Sequence, residues 1–259
     1  MRFGKKFLIT EENVHEYIVD MGAAIKAHLE ANGRKGVVLG MSGGIDCSVV
    51  ARLCQEAGID VYLSIMPYGN DMNVSASFAR AMEFIEKYSF PYEIHDIQQT
   101  CDASSVLPNH PFAMGAKPRD LELAIMNRRP RARMMRLHDL AQLSERLVIG
   151  TSNLDEIITG YFTMWGDNAN GYQPLAMLTK REVRILARAL DVPSSIVEAA
   201  PSAGLYAGQT DEDELGFTYN DIDAYIVLES SGNSAVDEKI EARYLYSNFK
   251  RDPIAYYNG

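Results

Sequence analysis

Short apolar runs alternate with amphipathic helical stretches over roughly the first 150 residues of this chain, and that alternation restricts the possible folds more than any other feature. Apolar runs at 37–41, 61–66, 92–97 and 147–149 read as buried strands, with helical patterns at 11–31, 74–88 and 119–143 between them. In the first helix Val14, Tyr17, Ile18, Met21, Ile25 and Leu29 recur at the spacing that gathers them on one face. Strands alternating with helices predict βαβ units, so the expected class is α/β: a doubly wound, mostly parallel sheet covered by helices on both faces. After residue 178 the pattern is helical and loop-like throughout, which predicts a helical C-terminal part. Residues 102–120 hold three prolines without periodicity and read as a long surface loop. Residues 200–216 read as a second loop, rich in small residues ahead of an acidic run and suited to a lid. No repeat or Pro/Gly/Ser-rich linker divides the chain, so residues 1–259 are expected to form one domain.

Composition narrows the function classes. Hydrophobic residues make up 47% of the 259, enough for a packed core, yet no stretch approaches the ~20 apolar residues of a membrane span. The N-terminus has no apolar signal region, and three cysteines without CxxC spacing (Cys47, Cys54, Cys101) argue against a disulfide scaffold and against zinc. A reducing cytoplasm is the expected compartment. The formal net charge of −10 opposes binding to nucleic acid or an anionic membrane. Against that balance Arg128, Arg129, Arg131, Arg133 and Arg136 cluster within nine residues, either as a solvated helix face or as a patch for a small anionic ligand.

The sharpest local motif is Ser42-Gly43-Gly44-Ile45-Asp46-Cys47-Ser48, placed where the first strand runs into a helix. In an open α/β sheet ligands bind at the carboxyl ends of strands. Two glycines let backbone N–H groups approach an anion, and the helix N-terminus adds positive partial charge. Asp46 would repel phosphate directly but suits a divalent cation bridging to it; as a plain structural feature it caps the helix. Gly40-Met41-Ser42-Gly43-Gly44 also satisfies the G-x-S-x-G elbow of hydrolases, although no histidine follows His138 to complete a triad in the usual order. A second cluster, Gly150-Thr151-Ser152-Asn153-Leu154-Asp155-Glu156, follows the last strand. Asn153 and Glu156 have the spacing of a reciprocal helix cap, and Glu156 also falls on the same rim as Asp46, where the two carboxylates could share one Mg²⁺. A third is Thr179-Lys180-Arg181-Glu182, a capping box that places two cations in a first helical turn, where the dipole disfavours them unless an anion is bound.

Together these segments resemble the ammonia-dependent NAD synthetase family, within the ATP-pyrophosphatase (PP-loop) group. The resemblance runs through LGMSGGIDCSVVARL, NRRPRARMM, IGTSNLDEIITGYFTMWGD, LTKREVRILARALDVP, PSAGLYAGQTDEDELGFTYNDID and FKRDP. SGGxD is shared across many ATP-pyrophosphatases; the GTSN…GYFT…GD and PSAxL…GQTDE segments are far more specific. The fold it implies is adenine nucleotide alpha-hydrolase-like and Rossmann-like.

What the resemblance implies is ATP-dependent amidation of deamido-NAD to NAD, through an acyl-adenylate, with AMP and pyrophosphate released. The loop Gly40, Met41, Ser42, Gly43, Gly44, Ile45, Asp46 and Cys47 would cradle the ATP phosphates, with Thr151, Lys180 and Ser202 as further ATP contacts. Asp46 and Glu156 would hold Mg²⁺, and with Lys180 they form the expected catalytic set. Arg131, Met164, Gly171, Phe249 and Lys250 fall at deamido-NAD positions, with Arg251 beside Lys250 closing over the substrate. The family usually has Ser at Cys47, and many members carry Lys at Met164, Asp at Gly171 and His at Phe249. These departures leave the ATP half intact and raise a second expectation, a paralogue that amidates a different carboxylate. Glutamine-using relatives carry an additional N-terminal nitrilase-like domain, whereas this chain begins almost at the first synthetase helix; free ammonia is therefore the expected donor. Members are homodimers that share their substrate site, and residues 102–120 with the helix at 119–143 are the expected contact.

Overall fold

In the computed structural model, which describes residues 6–69, 76–105, 110–200 and 210–251, the chain forms a parallel sheet with helices packed on either face. Helix α1 (Val14–Ala31) leads into β1 (Gly36–Gly40), α2 (Ile45–Glu56), β2 (Asp60–Ile65), α3 (Ala76–Tyr88) and β3 (Tyr92–Ile94). Helices α4 (Gln98–Ala103), α5 (Pro111–Gly115), α6 (Pro118–Met126) and α7 (Arg128–Ser144) precede β4 (Leu147–Val148). Among the described residues that follow, the helices are α8 (Leu154–Thr159), α9 (Lys180–Ala189), α10 (Ser194–Val197), α11 (Asp211–Leu215), α12 (Tyr219–Leu228) and α13 (Ser234–Tyr246), then a 3₁₀ turn at Asn248–Lys250.

The strands lie in the order β3-β2-β1-β4, all parallel, with Val37 beside Val61 on one side and Leu147 on the other. Val37 and Leu39 join Val61, Leu63 and Ile65 in a core built with α1, α2, α3 and α9. Val38 points the opposite way and packs with Val148 against Leu137, Leu140 and Ala141 of α7. Burial on both faces explains why β1 reads as a continuous apolar run and not as an alternation. A separate core of Leu154, Ile158, Leu215, Phe217, Tyr219, Ile222, Ile226 and Ile240 ties α8 to α11, α12 and α13. No described helix is long and apolar enough to cross a membrane.

Two expectations need correction. The predicted loop at 102–120 contains α5 and the start of α6, because Pro111 and Pro118 each occupy the first position of a helix, where a missing N–H costs nothing. The predicted helix at 119–143 is two helices meeting at Asn127. Pro130 cannot sit in a helix interior, so a new first turn begins at Arg128 to accommodate it. Of the expected lid, residues 201–209 lie outside the described residues, and Asp211–Leu215 forms α11.

The order places a topological switch point between β1 and β4: from β1 the chain steps outward through β2 and β3, then returns to β1's other edge. Ligands of open α/β sheets bind in the crevice this creates.

Candidate active site

The loop leaving β1 is held tightly. Gly43 has φ +77°, and a Cβ there would lie 2.0 Å from the Ser77 carbonyl oxygen of α3, so both conformation and space demand glycine. Gly44 caps α2; its N–H donates to Ser42 Oγ at 3.2 Å, and its carbonyl accepts from Ser48 Oγ at 2.8 Å. The Cys47 thiol turns back into the loop, 3.1 Å from the Gly44 carbonyl and 3.2 Å from Ser42 Oγ. Arg80 of α3 donates from Nε to the Gly43 carbonyl at 3.1 Å.

Across the switch point, both predicted capping boxes are present. Asn153 and Glu156 cap α8 reciprocally, and Thr179 and Glu182 cap α9. These caps aim the functional groups. Lys180, at the first position of α9, reaches Asp46 Oδ2 at 2.6 Å and stands 3.8 Å from Glu156 Oε1. Asn153 Nδ2 donates to the other Asp46 oxygen at 3.0 Å. The buried Asp155 accepts the Lys180 backbone N–H at 2.8 Å, joining the starts of α8 and α9. Lys180 Nζ also lies 5.1 Å above the Tyr219 ring, whose hydroxyl donates to Asp211 Oδ2 at 2.9 Å.

The electrostatics follow from this crowding. Burial, and then the charge of Asp46, push the Glu156 carboxyl up to about 8. Burial pulls the Lys180 ammonium down, but Asp46 and Glu156 outweigh it and hold the group above the ordinary lysine value. The three side chains form one charge cluster beside the glycine loop.

A cavity of about 1500 Å³ opens over this cluster. Gly40, Met41, Ser42, Gly44, Ile45, Asp46 and Cys47 line it, as do Thr151, Glu156, Lys180, Phe249 and Lys250; Gly43 lies behind, against α3. Arg131, Met164 and Gly171 are not among its walls. Arg131 is exposed and donates from Nε to the Met164 carbonyl at 3.2 Å. Gly171 donates its N–H to the Val148 carbonyl at 2.9 Å, next to an isolated parallel bridge between Ile149 and Tyr172. Lys250 Nζ donates to the carbonyls of Gly160 and Phe162 at 2.8 and 2.7 Å, while Arg251 Nη1 caps α8 through the carbonyls of Ile157 and Ile158 at 3.1 Å. Ser202 lies outside the described residues.

The arginine run does not make one patch. Helical geometry distributes it: Arg136 grips Glu93 through two bonds of 2.8 and 2.6 Å, Arg128 holds the Cys101 carbonyl, and Arg129 and Arg133 face the cavity. No histidine lines the cavity among the described residues, which leaves Ser42 without the base a hydrolase elbow needs. Residues that sequence reasoning passed over include Arg80, Asp211 and Tyr219. Arg80 is one of several charges in an amphipathic helix that also carries Glu83, Glu86 and Lys87, and Tyr219 falls in phase with core residues, so spacing marked neither.

A parallel sheet whose central strand runs into a glycine loop, with a lysine–carboxylate cluster at the switch point, defines a nucleotide-binding α/β enzyme of the PP-loop class. The model of the NAD synthase family matches residues 17–253, and the chain belongs to that family. An NH(3)-dependent NAD(+) synthetase of Wolinella succinogenes is 39% identical over 200 residues, covering 77% of this chain and 74% of the relative. Among solved structures, NMN synthetase from Francisella tularensis is similar with TM-score 0.84 and 33% identity, covering 95% of this chain and 99% of that one. NH3-dependent NAD synthetase from Campylobacter jejuni, in complex with nitrate, gives TM-score 0.74 at 27% identity over 95% of this chain and 99% of that one.

Proposed function

We propose that this enzyme uses ATP and free ammonia to amidate deamido-NAD, releasing NAD, AMP and pyrophosphate. The observation that carries the reading is the Lys180–Asp46–Glu156 cluster, set against the glycine loop at the switch point of a NAD synthase family fold. A nicotinate carboxylate has no leaving group that ammonia can displace. Attack of that carboxylate on the α-phosphorus of ATP forms an acyl-adenylate as the bond to pyrophosphate breaks. Ammonia then adds to the activated carbonyl, and AMP leaves with the bonding electrons. The chain's task is to hold two polyanions in line and to stabilise charge moving onto pyrophosphate. On this reading the N–H groups at the start of α2 and the Lys180 ammonium, held by Asp46, do that work. Thr151 lines the same cavity, and Ser202 is assigned to ATP by the family resemblance alone.

Asp46 and Glu156 fit a Mg²⁺ ion: both offer hard carboxylate oxygens to one cavity, where burial and then the neighbouring Asp46 charge raise the Glu156 proton affinity. When bound, the ion would supply further charge neutralisation for the phosphates. Arg131 and Met164 lie away from the single-chain cavity, while Phe112, Met114, Ile125 and Met135 expose apolar surface on α5, α6 and α7. Both features support a homodimer whose second chain completes the acceptor site.

A second reading takes the mononucleotide, deamido-NMN, as acceptor. The higher TM-score to the Francisella NMN synthetase favours it, together with Met164, Gly171 and Phe249 in place of charged or imidazole side chains. Exchange of labelled pyrophosphate into ATP, without ammonium, tests the adenylation step. Exchange that requires deamido-NAD supports the first reading, exchange with deamido-NMN alone supports the second, and no exchange with either overturns the acyl-adenylate route.

A further inference from the structure

The cavity wall contributed by α3 carries one cation that the reaction described so far does not use. Arg80 is half-buried and lines the cavity next to the glycine loop. Its Nε donates to the Gly43 carbonyl at 3.1 Å, and among the described residues its two Nη groups make no hydrogen bond or ion pair. A guanidinium presents five N–H donors in a rigid fork. Fixing Nε on the loop therefore pre-orients the remaining donors at small entropic cost. The anchor itself is rigid, because Gly43 is packed against the Ser77 carbonyl on the preceding turn of the same helix, where no side chain could be tolerated.

The neighbouring loop residue makes the arginine chemically pertinent. Cys47 offers a weak thiol donor, and its Sγ contacts the Gly44 carbonyl at 3.1 Å and Ser42 Oγ at 3.2 Å. The loop's side-chain contribution to phosphate binding is accordingly small on that side. A charge-assisted bond from a guanidinium is about twice as strong as a neutral one, and Arg matches phosphate oxygens two at a time.

We infer that Arg80 is a pyrophosphate-binding residue of this enzyme, holding the phosphate loop through Nε and the departing pyrophosphate through its Nη groups. The assignment rests on the loop's reading as the ATP phosphate site. On this account Arg80 gives the leaving group a positive partner on the α3 side, opposite Lys180. It touches the β- and γ-phosphates, so its removal affects ATP and pyrophosphate while leaving AMP, which lacks both, unaffected.

Calorimetric titration of inorganic pyrophosphate, and separately of AMP, onto the wild type and Arg80→Leu tests this. The expected result is pyrophosphate affinity reduced about tenfold or more in the variant, as for a lost charged hydrogen bond, with AMP affinity changed less than about twofold. Arg80→Lys keeps the charge without the fork and is expected to fall between the two; it carries the same comparison should the leucine variant fail to fold. Equal pyrophosphate affinity in wild type and variants would overturn the inference while leaving the loop's assignment standing. Parallel loss of pyrophosphate and AMP binding would also overturn it, since Arg80 would then only shape the loop. A wild-type protein that binds AMP but not pyrophosphate would remove the phosphate-loop reading itself, and this inference with it.

Discussion

Glycine at position 43 and glutamate at position 156 show how single residues set this site. At Gly43 a methyl group would meet a backbone carbonyl that cannot move aside, in a left-handed conformation that already costs other residues about 1–2 kcal/mol. Gly43→Ala is expected to destabilise the chain by about 2 kcal/mol or more in urea unfolding and to abolish ATP binding by calorimetry. At Glu156 the pH dependence runs the other way from that of a salt-bridged carboxylate. The folded chain keeps this group protonated up to about pH 8, whereas the unfolded chain releases the proton near the ordinary carboxylate value. Between those points the folded state holds the additional proton, so stability falls as pH rises and stays low above the window. Glu156→Gln removes that slope. At pH 9 the ligand-free variant should melt about 2–4 °C above the wild type, with the difference gone near pH 4. It should also lose most of its activity. A wild type at least as stable as the variant at pH 9 would contradict the assignment. Glu156 was legible as a cap and as a rim carboxylate, and it is both. What spacing could not give was the partner: Lys180 sits at a sequence separation only the fold can close.

Helix starts are the elements that build the site, and their signals were largely readable. Both capping boxes are where the Thr/Asn and Glu spacings put them. The second does more than its motif announces. Glu182 accepts the Thr179 N–H at 2.8 Å through one oxygen, and the N–H groups of Leu8 and Ile9 through the other, pinning the N-terminal segment to α9. Glu182→Ala strips these acceptors from a fully buried position. The expected loss is about 2–4 kcal/mol of unfolding free energy, read from urea denaturation, because donors left unpaired in the interior cost more than the bonds gained. Less than about 1 kcal/mol would mean the segment is not held this way. Prolines were harder to read. Pro111, Pro118 and Pro130 looked like loop markers or passed unnoticed inside a helix, yet all three occupy first turns. Composition alone does not separate a proline that ends order from one that begins a helix.

At the scale of the molecule, the parallel sheet followed from the alternation of apolar runs and helices, and the cavity wall at the end of β1 followed from the glycine loop. The half expected to take the acceptor was the less legible. Its expected residues split between the cavity wall, as Phe249 and Lys250 do, and positions away from it, as Arg131 and Met164 do. The proposed completion of the site by a second chain would leave no periodic trace in one sequence. Sedimentation velocity at micromolar concentration should therefore give the mass of two chains, and replacing exposed Phe112 and Met114 by glutamate should shift the boundary toward one. A wild-type monomer would contradict the dimer.

The reaction itself is tested most directly by supplying ATP, Mg²⁺ and ammonium with deamido-NAD and deamido-NMN in equal amounts, and following all products by chromatography. The account predicts NAD formed together with one AMP per amide, from ammonium without glutamine. NMN as the sole amide would move the acceptor to the mononucleotide. ADP in place of AMP, or no amide from either acceptor, would contradict amidation through adenylation.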